Sequence, residues 1–299
     1  MNKKTDFTNA KDLLALCEAK NIPISEAMLL RETSKFEISR EAAEERMLKT
    51  LNVMRESVAR SQTEKMQLLG GYIGGEGKEL LARVKKEGAL GGTISRAAAY
   101  AMGVIEWNAS MGRIVAAPTA GSAGVLPGIL AALEEAYKFD DEALVKALFN
   151  AGAVGYLIGR NATLSGAEGG CQAEVGAASA MAASMICELF GGAPPVCLAA
   201  AGDAMSNILG LICDPIGGLV ESPCQKRNAM GVSNAMISAE IALATGGRCL
   251  VPFDEVVTVM HNVGRSMPYQ FRETALGGLA ATPSVKNLKP GCASCGACK

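Results

Sequence analysis

Three cysteines lie in turns marked by glycine or proline, a setting typical of metal sites. Cys171 follows two glycines, Cys213 is followed by a proline and then two glycines, and Cys224 directly follows a proline. Glycine permits close backbone approach and places amide N–H groups around bound sulfur. Three thiolates can hold a [4Fe-4S] cluster and leave one iron open, and an open iron can act as a Lewis acid on a departing substrate oxygen. We therefore predict that these three cysteines are ligands of a catalytic cluster.

Four other cysteines have a different setting. Cys17, Cys187 and Cys197 lie within apolar helical runs, and Cys249 lies beside two apolar residues. Free cysteine is among the most buried residue types because it packs as a small hydrophobic side chain. We therefore predict that these four cysteines pack in the core.

A second group of chemically useful residues lies between residues 108 and 124. This stretch is rich in small and hydroxylic side chains, which include Ser110, Thr119 and Ser122. A loop that leads into a helix at Ser122 would aim backbone N–H groups at a bound anion, and the helix dipole would favour its negative charge. A carboxylate suits such a pocket. A tight turn between helices, capped by Ser122, explains the loop equally well.

Composition limits the classes of partner. The 29 basic and 30 acidic residues give no electrostatic reason to expect nucleic acid or an anionic membrane. The most apolar stretch, residues 196–212, is shorter than the ~20 residues of a membrane-spanning helix and contains Asp203. Ten cysteines and a start without an apolar targeting segment predict a reducing compartment, and we expect a cytoplasmic protein.

The elements that position these residues are predicted to be helices. Apolar residues recur at helical spacing almost everywhere, and alternating strand patterns are scarce. Ser39 is placed to N-cap a long helix that continues to about Lys65, and Asp140 begins a second helix whose first turn is acidic. Further helices are expected at residues 95–109, 122–137, 172–190, 196–212, 232–244 and 253–265. The sequence thus predicts a mostly α fold, with a multi-helix catalytic domain around the [4Fe-4S] site.

We expect three regions along the chain. Residues 1–67 form a helical N-terminal region, residues 68–288 form the catalytic iron–sulfur core, and residues 289–299 form a flexible cysteine-rich tail. The tail has no apolar period and cannot pack unaided.

The tail carries three further cysteines at regular spacing. Cys292, Cys295 and Cys298 form part of a ferredoxin-type motif that lacks the fourth cysteine and its following proline. These thiols could form a second metal site, deliver or protect iron during assembly, or reach the open iron of the main cluster. We prefer contact with the main cluster.

Several runs in order resemble a known family. They are residues 108–124, residues 165–176, the turns at Cys213 and Cys224, and residues 274–283. Together they resemble the iron–sulfur-dependent L-serine dehydratases, and most closely their separate alpha subunit. The resemblance implies an oxygen-sensitive [4Fe-4S] enzyme that converts L-serine to pyruvate and ammonia, with Cys171, Cys213 and Cys224 as ligands.

The resemblance also implies a substrate site. We assign the substrate carboxylate to the loop at residues 118–122, and we expect Asn108 and Ser110 to be nearby polar contacts. The loop residues with catalytic or binding roles are Thr119, Ala120, Gly121 and Ser122. Arg227 and Asn228 are expected to orient substrate or to offset the cluster charge, as is Lys226 unless it is simply exposed.

A partner chain is expected for the same reason. In the family, a Ser-Ser-His-Thr-x-Gly-Pro type of segment belongs to the beta domain, and nothing like it occurs here. The chain's one histidine, His261, lies in a different context, and we do not expect it to be catalytic. A beta subunit is therefore predicted to complete the site.

Two alternatives remain open from the sequence. A cysteine desulfidase would eliminate sulfide through a similar site. An electron-transfer protein or a metal-binding structural module is less favoured, because electron carriers normally complete the ligand set of the cluster.

Overall fold

The structure is a computed structural model that describes residues 5–86 and 91–288. Its elements within these ranges are helical, and the one isolated strand-like bridge joins Cys213 to Arg272. The α-helices are α1 (Ala10–Lys20), α2 (Ile24–Phe36), α3 (Arg40–Thr63), α4 (Glu76–Lys85), α5 (Gly92–Ala109), α6 (Val125–Tyr137), α7 (Asp141–Asn161), α8 (Gly166–Gly169), α9 (Ala177–Leu189), α10 (Pro194–Ser206), α11 (Cys224–Thr245), α12 (Phe253–Ser266) and α13 (Pro283–Lys286). A single π-helical turn, Gln172–Gly176, precedes α9, and short 3₁₀ turns lie at Ala120–Ser122, Ile216–Gly218, Tyr269–Phe271 and Gly278–Ala281.

The prediction of a mostly α fold is confirmed, and so are two helix starts. The Ser39 hydroxyl accepts a hydrogen bond from the N–H of Ala42 at 3.1 Å, which caps α3. The Asp140 carboxylate accepts one from the N–H of Ala143 at 2.9 Å, which caps α7. Each side chain satisfies a backbone donor that the helix itself leaves without a partner.

Other boundaries differ from the prediction. Helix α6 begins at Val125 because residues 120–122 form a separate 3₁₀ turn. Helix α10 ends at Ser206 and is followed by turns that lead to Cys213, so the predicted helix over residues 196–212 is too long. Helix α11 begins at Cys224, eight residues before the predicted start at 232. The hydropathy of the sequence identifies the buried segments. It does not identify where each helix ends, because the turns between helices depend on tertiary contacts.

The core consists of alanine-rich helices in close contact. A Cβ atom added at Gly128 of α6 would lie 2.6 Å from the carbonyl oxygen of Ala97 on α5, so the two backbones almost touch. In α9, every residue from Ala177 to Cys187 is buried. Small side chains permit short interhelical distances, which explains how a chain with only 4% aromatic residues builds a core.

Polar side chains inside this core are paired with one another. The Ser184 hydroxyl of α9 donates to Asn150 Oδ1 of α7 at 2.6 Å, and Asn150 Nδ2 donates to Glu188 Oε2 at 2.7 Å. The Ser179 hydroxyl donates to the carbonyl oxygen of Gly231 on α11 at 3.0 Å. Buried hydrogen bonds of this kind fix the neighbours of α9, because breaking one leaves a buried polar group unsatisfied.

The core cysteines divide into three confirmed predictions and one error. Cys17, Cys187 and Cys197 are buried, as predicted. Cys249 is exposed, so the prediction of core packing was wrong for this residue. It lies in the loop between α11 and α12, where the neighbouring Leu250 is 97% exposed, and two apolar neighbours in a loop do not make a buried face.

Two further expectations concern regions beyond this core. Cys292, Cys295 and Cys298 lie outside the described residues, and the division of the chain at residue 67 stays a prediction.

No helix of the described ranges is long and apolar enough to cross a membrane.

A carboxylate on α12 fastens the first helix to the core. Asp254 accepts hydrogen bonds from the N–H of Ala10 at 2.8 and 3.0 Å and from the N–H of Lys11 at 3.3 Å. Asp254→Ala should lower the free energy of unfolding by about 1–2 kcal/mol, the usual cost of losing such a cap. Denaturant unfolding measures this change. Glu255→Ala is the control at an exposed neighbour, and equal midpoints for the two variants would contradict the assignment.

Candidate active site

The three predicted ligand cysteines lie at the ends of three separate elements. Cys171 directly precedes the π-helical turn, Cys213 lies in the loop that follows α10, and Cys224 is the first residue of α11. Their exposed fractions are 2%, 4% and 7%. Cys171 and Cys213 pack with Val175 and Ile208 in one small apolar cluster. Charge on Cys171 and on Cys224 would raise the pKa of Cys213, so the three thiols share one region of the interior.

Burial disfavours the thiolate form of all three cysteines because it removes the charge from water. It raises the pKa of Cys171 to about 12 and that of Cys224 to about 12, and it also raises the pKa of Cys213. The positive charge of Arg227 lowers the pKa of Cys171 and of Cys224. A bound metal displaces the thiol proton and compensates the thiolate charge, so three buried thiols beside a guanidinium group are a donor set that fits an iron–sulfur cluster.

The arrangement differs from a site for a single ion. Across residues 5–86 and 91–288, no three His, Cys, Asp or Glu side chains are grouped to hold a metal ion. In an iron–sulfur cube each thiolate bonds a different iron, so its ligands stand farther apart than those of one ion. Glycine at residue 166 also lets the backbone approach one predicted ligand closely, because a Cβ atom there would lie 3.1 Å from Cys213 Sγ.

One side chain ties the first two ligand turns together. Gln172 Nε2 donates to the carbonyl oxygens of Gly169 and Met260 at 2.9 Å each, and Gln172 Oε1 accepts from the N–H of Gly210 at 2.9 Å. The backbone N–H of Gln172 donates to the carbonyl oxygen of Leu211 at 3.0 Å. The turn before Cys171, the turn before Cys213 and helix α12 are thereby held in one arrangement.

The second and third ligand turns are joined by a partly buried ion pair. Arg227 Nη2 lies 2.8 Å from Asp214 Oδ1, and Arg227 Nη1 donates to the carbonyl oxygen of Ile212 at 2.9 Å. The other carboxylate oxygen of Asp214 accepts from the N–H of Leu279 at 2.7 Å. These contacts favour a role for Arg227 in holding the ligand turns and offsetting thiolate charge. Its predicted contact with substrate stays a prediction.

The predicted carboxylate loop is a tight 3₁₀ turn. Thr119 caps the turn Ala120–Ser122, and the Ser122 hydroxyl lies 3.2 Å from Thr119 Oγ1 and 3.4 Å from the Thr119 backbone nitrogen. Ser122 is fully buried, so its hydroxyl braces the turn from within. In the described part of the chain, no acceptor is found for the backbone N–H groups of Ala120 and Gly121, which leaves both donors for a ligand.

Two asparagines hold this turn beside the third ligand. Asn228 Nδ2 donates to the carbonyl oxygens of Gly121 at 2.8 Å and Cys224 at 2.9 Å, and its Oδ1 accepts from the N–H of Gly124 at 3.0 Å. Asn108 Nδ2 donates to the carbonyl oxygen of Ala120 at 3.1 Å. The predicted substrate loop and the N-terminus of α11 are therefore in direct contact.

Three other residues considered from the sequence make no contact with the predicted ligand cysteines or with the turn at residues 120–122 among the hydrogen bonds of the described residues. The Ser110 hydroxyl donates to the carbonyl oxygen of Trp107 at 2.8 Å, at the end of α5. Lys226 is exposed on α11. His261 lies partly buried on α12, and its Nδ1 meets no hydrogen-bond partner among the described residues.

Sequence reasoning missed one central residue, Glu174. Its Oε1 accepts a hydrogen bond from Thr119 Oγ1 at 2.7 Å, and its Oε2 accepts one from Cys213 Sγ at 3.6 Å. Burial raises the pKa of this carboxyl group, while the Thr119 hydroxyl lowers it. A lone acidic residue between alanine, valine and glycine could have indicated a functional side chain. The π-helical turn that orients Glu174 cannot be recognised from the spacing of apolar residues in the sequence.

Most of the chain is similar in sequence to known proteins. The profile of the serine dehydratase alpha chain family matches residues 19–280. The chain belongs to this family. It is 45% identical over 284 residues to the probable L-serine dehydratase alpha chain of Bacillus subtilis, covering 95% of this chain and 94% of that one. It is 41% identical over 284 residues to the L-serine dehydratase alpha chain of Peptoniphilus asaccharolyticus, covering 95% of this chain and 97% of that one.

A longer relative matches this chain along only part of its own length. The chain is 38% identical over 282 residues to the L-serine dehydratase of Streptomyces coelicolor, and the match covers 93% of this chain but 61% of the relative. The relatives of this chain thus include proteins that it matches almost end to end and a longer protein in which the match is one part.

The ligand assignment predicts a sharp contrast among buried cysteines. Cys171→Ala, Cys213→Ala and Cys224→Ala should each abolish cluster assembly, because each removes one of three thiolates. Cys187→Ala and Cys197→Ala are matched controls that should retain the cluster, since both thiols pack in the core. Iron and sulfide content, measured on anaerobically purified protein, decides the matter. A full cluster in any of the first three variants would refute that ligand.

Proposed function

We propose that this chain is the cluster-bearing alpha subunit of an L-serine dehydratase, which converts L-serine to pyruvate and ammonia. The observation that carries the proposal is the direct contact between the turn at residues 119–122 and the cysteine-bearing elements. Asn228 joins that turn to Cys224, and Glu174 joins it to Cys213. The proposal extends to this chain the activity that its relatives' names state.

Cys171, Cys213 and Cys224 would hold a [4Fe-4S] cluster. When bound, such a cluster with one open iron supplies a Lewis acid for the leaving hydroxyl of serine. The chain itself contributes buried surroundings for the three thiols, where electrostatic contacts are stronger than in water. Arg227 offsets part of the negative charge that the thiolates bring.

The turn at residues 119–122 would bind the carboxylate of serine. Its N–H groups at Ala120 and Gly121 supply donors, and hydrogen bonds to a charged acceptor are stronger than those between neutral groups. Asn108 and Asn228 bind the carbonyl oxygens of the same two residues, so the donors are fixed before substrate arrives. Such preorganisation orients the substrate without a cost at the moment of reaction.

Elimination also requires a base that removes the proton from the α-carbon of serine. The family's histidine-bearing segment is expected on a beta subunit, and we propose that this partner completes the site. The cytoplasm is the proposed compartment, because a reducing environment keeps thiols free for cluster assembly.

The partner requirement gives a direct prediction. This chain alone, with its cluster assembled anaerobically, should form little pyruvate from L-serine, and addition of a beta subunit should restore activity because the base is then present. Pyruvate is assayed with each chain alone and with both together. Full activity from this chain by itself would contradict the partner role. Pyruvate and sulfide from L-cysteine, with no product from L-serine, would instead identify a cysteine desulfidase.

The role of Ser122 is tested by removing its hydroxyl. Ser122→Ala should lower kcat/KM for L-serine by roughly tenfold or more, because the carboxylate-binding turn loses its internal brace, while iron content stays unchanged. Ser206→Ala is the matched control, since that hydroxyl also donates to a backbone carbonyl oxygen but lies exposed at the end of α10. If Ser122 only caps the turn, the variant will instead lose about 1 kcal/mol of stability and keep normal kinetics.

A further inference from the structure

Glu174 is a buried carboxylate without a cationic partner. It is 8% exposed, and its hydrogen-bond donors are the hydroxyl of Thr119 and the thiol of Cys213. Within the described ranges, no Lys, Arg or His forms an ion pair with it, and the nearby Arg227 is bound to Asp214. Buried acids are almost always paired, because an uncompensated charge in the interior is costly.

Binding of metal by Cys213 would increase this deficit. A thiol that bonds iron has lost its proton, so it can no longer donate a hydrogen bond to Glu174 Oε2. With Cys213 bound to metal, the second oxygen of Glu174 would keep no hydrogen-bond donor from the described residues.

The position of this carboxylate relates it to the substrate turn. A Cβ atom at Gly121 would lie 3.0 Å from Glu174 Oε1, so the carboxylate lies directly against the turn that presents the N–H groups of Ala120 and Gly121. In an α-amino acid, one carbon atom carries both the carboxylate and the ammonium group. The N–H donors of the turn suit the carboxylate of such a zwitterion, and the adjacent carboxylate of Glu174 suits its ammonium group.

We propose that Glu174 binds the α-ammonium group of the substrate and restricts the site to amino acids over hydroxy acids that lack nitrogen. The inference rests on the proposed function. An ammonium group supplies three N–H donors and a positive charge, which are what the second oxygen of Glu174 lacks.

The test uses the reconstituted holoenzyme with its beta subunit. Glu174→Gln keeps the size of the side chain and removes its charge, whereas Glu174→Asp keeps the charge. Glu168→Gln is the matched control, because Glu168 also accepts a hydrogen bond from a threonine hydroxyl, Thr163 Oγ1 at 2.5 Å, but is exposed. Glu174→Gln should raise KM for L-serine by roughly tenfold or more, and Glu168→Gln should leave it unchanged.

A matched pair of inhibitors separates this role from a structural one. L-Alanine and propionate differ only in the ammonium group, and both lack the hydroxyl that leaves. The wild-type enzyme should bind L-alanine at least roughly tenfold more tightly than propionate, as expected for a hydrogen-bonded ion pair. In Glu174→Gln this preference should disappear because L-alanine binding weakens, while propionate binding stays within about twofold.

Each outcome has a definite meaning. Equal weakening of both inhibitors in Glu174→Gln, or an unchanged KM for L-serine, would overturn the inference. If Glu174→Gln fails to assemble its cluster, the wild-type comparison still decides, since equal inhibition by L-alanine and propionate contradicts an ammonium site. Failure of the proposed function is distinct, because the wild-type holoenzyme would then form no pyruvate from L-serine at all.

Discussion

The burial of three thiols around one interior region is the constraint on which the rest of the structure depends. Cys171, Cys213 and Cys224 are far apart in sequence, and each ends or begins a separate element. Burial raises the pKa of all three thiols and so disfavours their thiolate forms, while other contacts hold the turns that carry them. Gln172 and the Arg227–Asp214 pair supply those contacts, which makes the ligand turns a preformed cradle rather than loops gathered by metal alone.

The alanine-rich core serves the same requirement. Close packing of α5, α6, α9 and α11 brings the end of α5, the 3₁₀ turn at Ala120–Ser122 and the start of α11 into one place. The side chain of Asn228 can then bind both the turn and the backbone of Cys224, the third predicted ligand. Larger core residues would separate these helix ends, because interhelical distance depends on the side chains at the contact.

The sequence predicted the helices best where local chemistry defines their ends. Ser39 caps α3 as expected, and α7 begins at its predicted acidic start, where Asp140 supplies the cap. A capping side chain acts on backbone groups two or three residues away, so the local sequence defines such an end. The error at Cys249 and the omission of Glu174 have another origin. Whether a loop packs against the core, and whether a helix takes a π-helical turn, depends on distant residues that periodicity does not encode. The predicted cluster ligands and the predicted substrate loop were chosen from their turns, and the structure places the two groups of residues in contact.

The central claim is that this chain holds a [4Fe-4S] cluster with one iron open to L-serine. Mössbauer spectroscopy of the holoenzyme, loaded with ⁵⁷Fe and kept anaerobic, observes each iron directly. The account predicts that addition of L-serine changes the signal of one iron and leaves the three cysteine-bound irons as they were. A spectrum of equivalent irons that L-serine does not alter would contradict it.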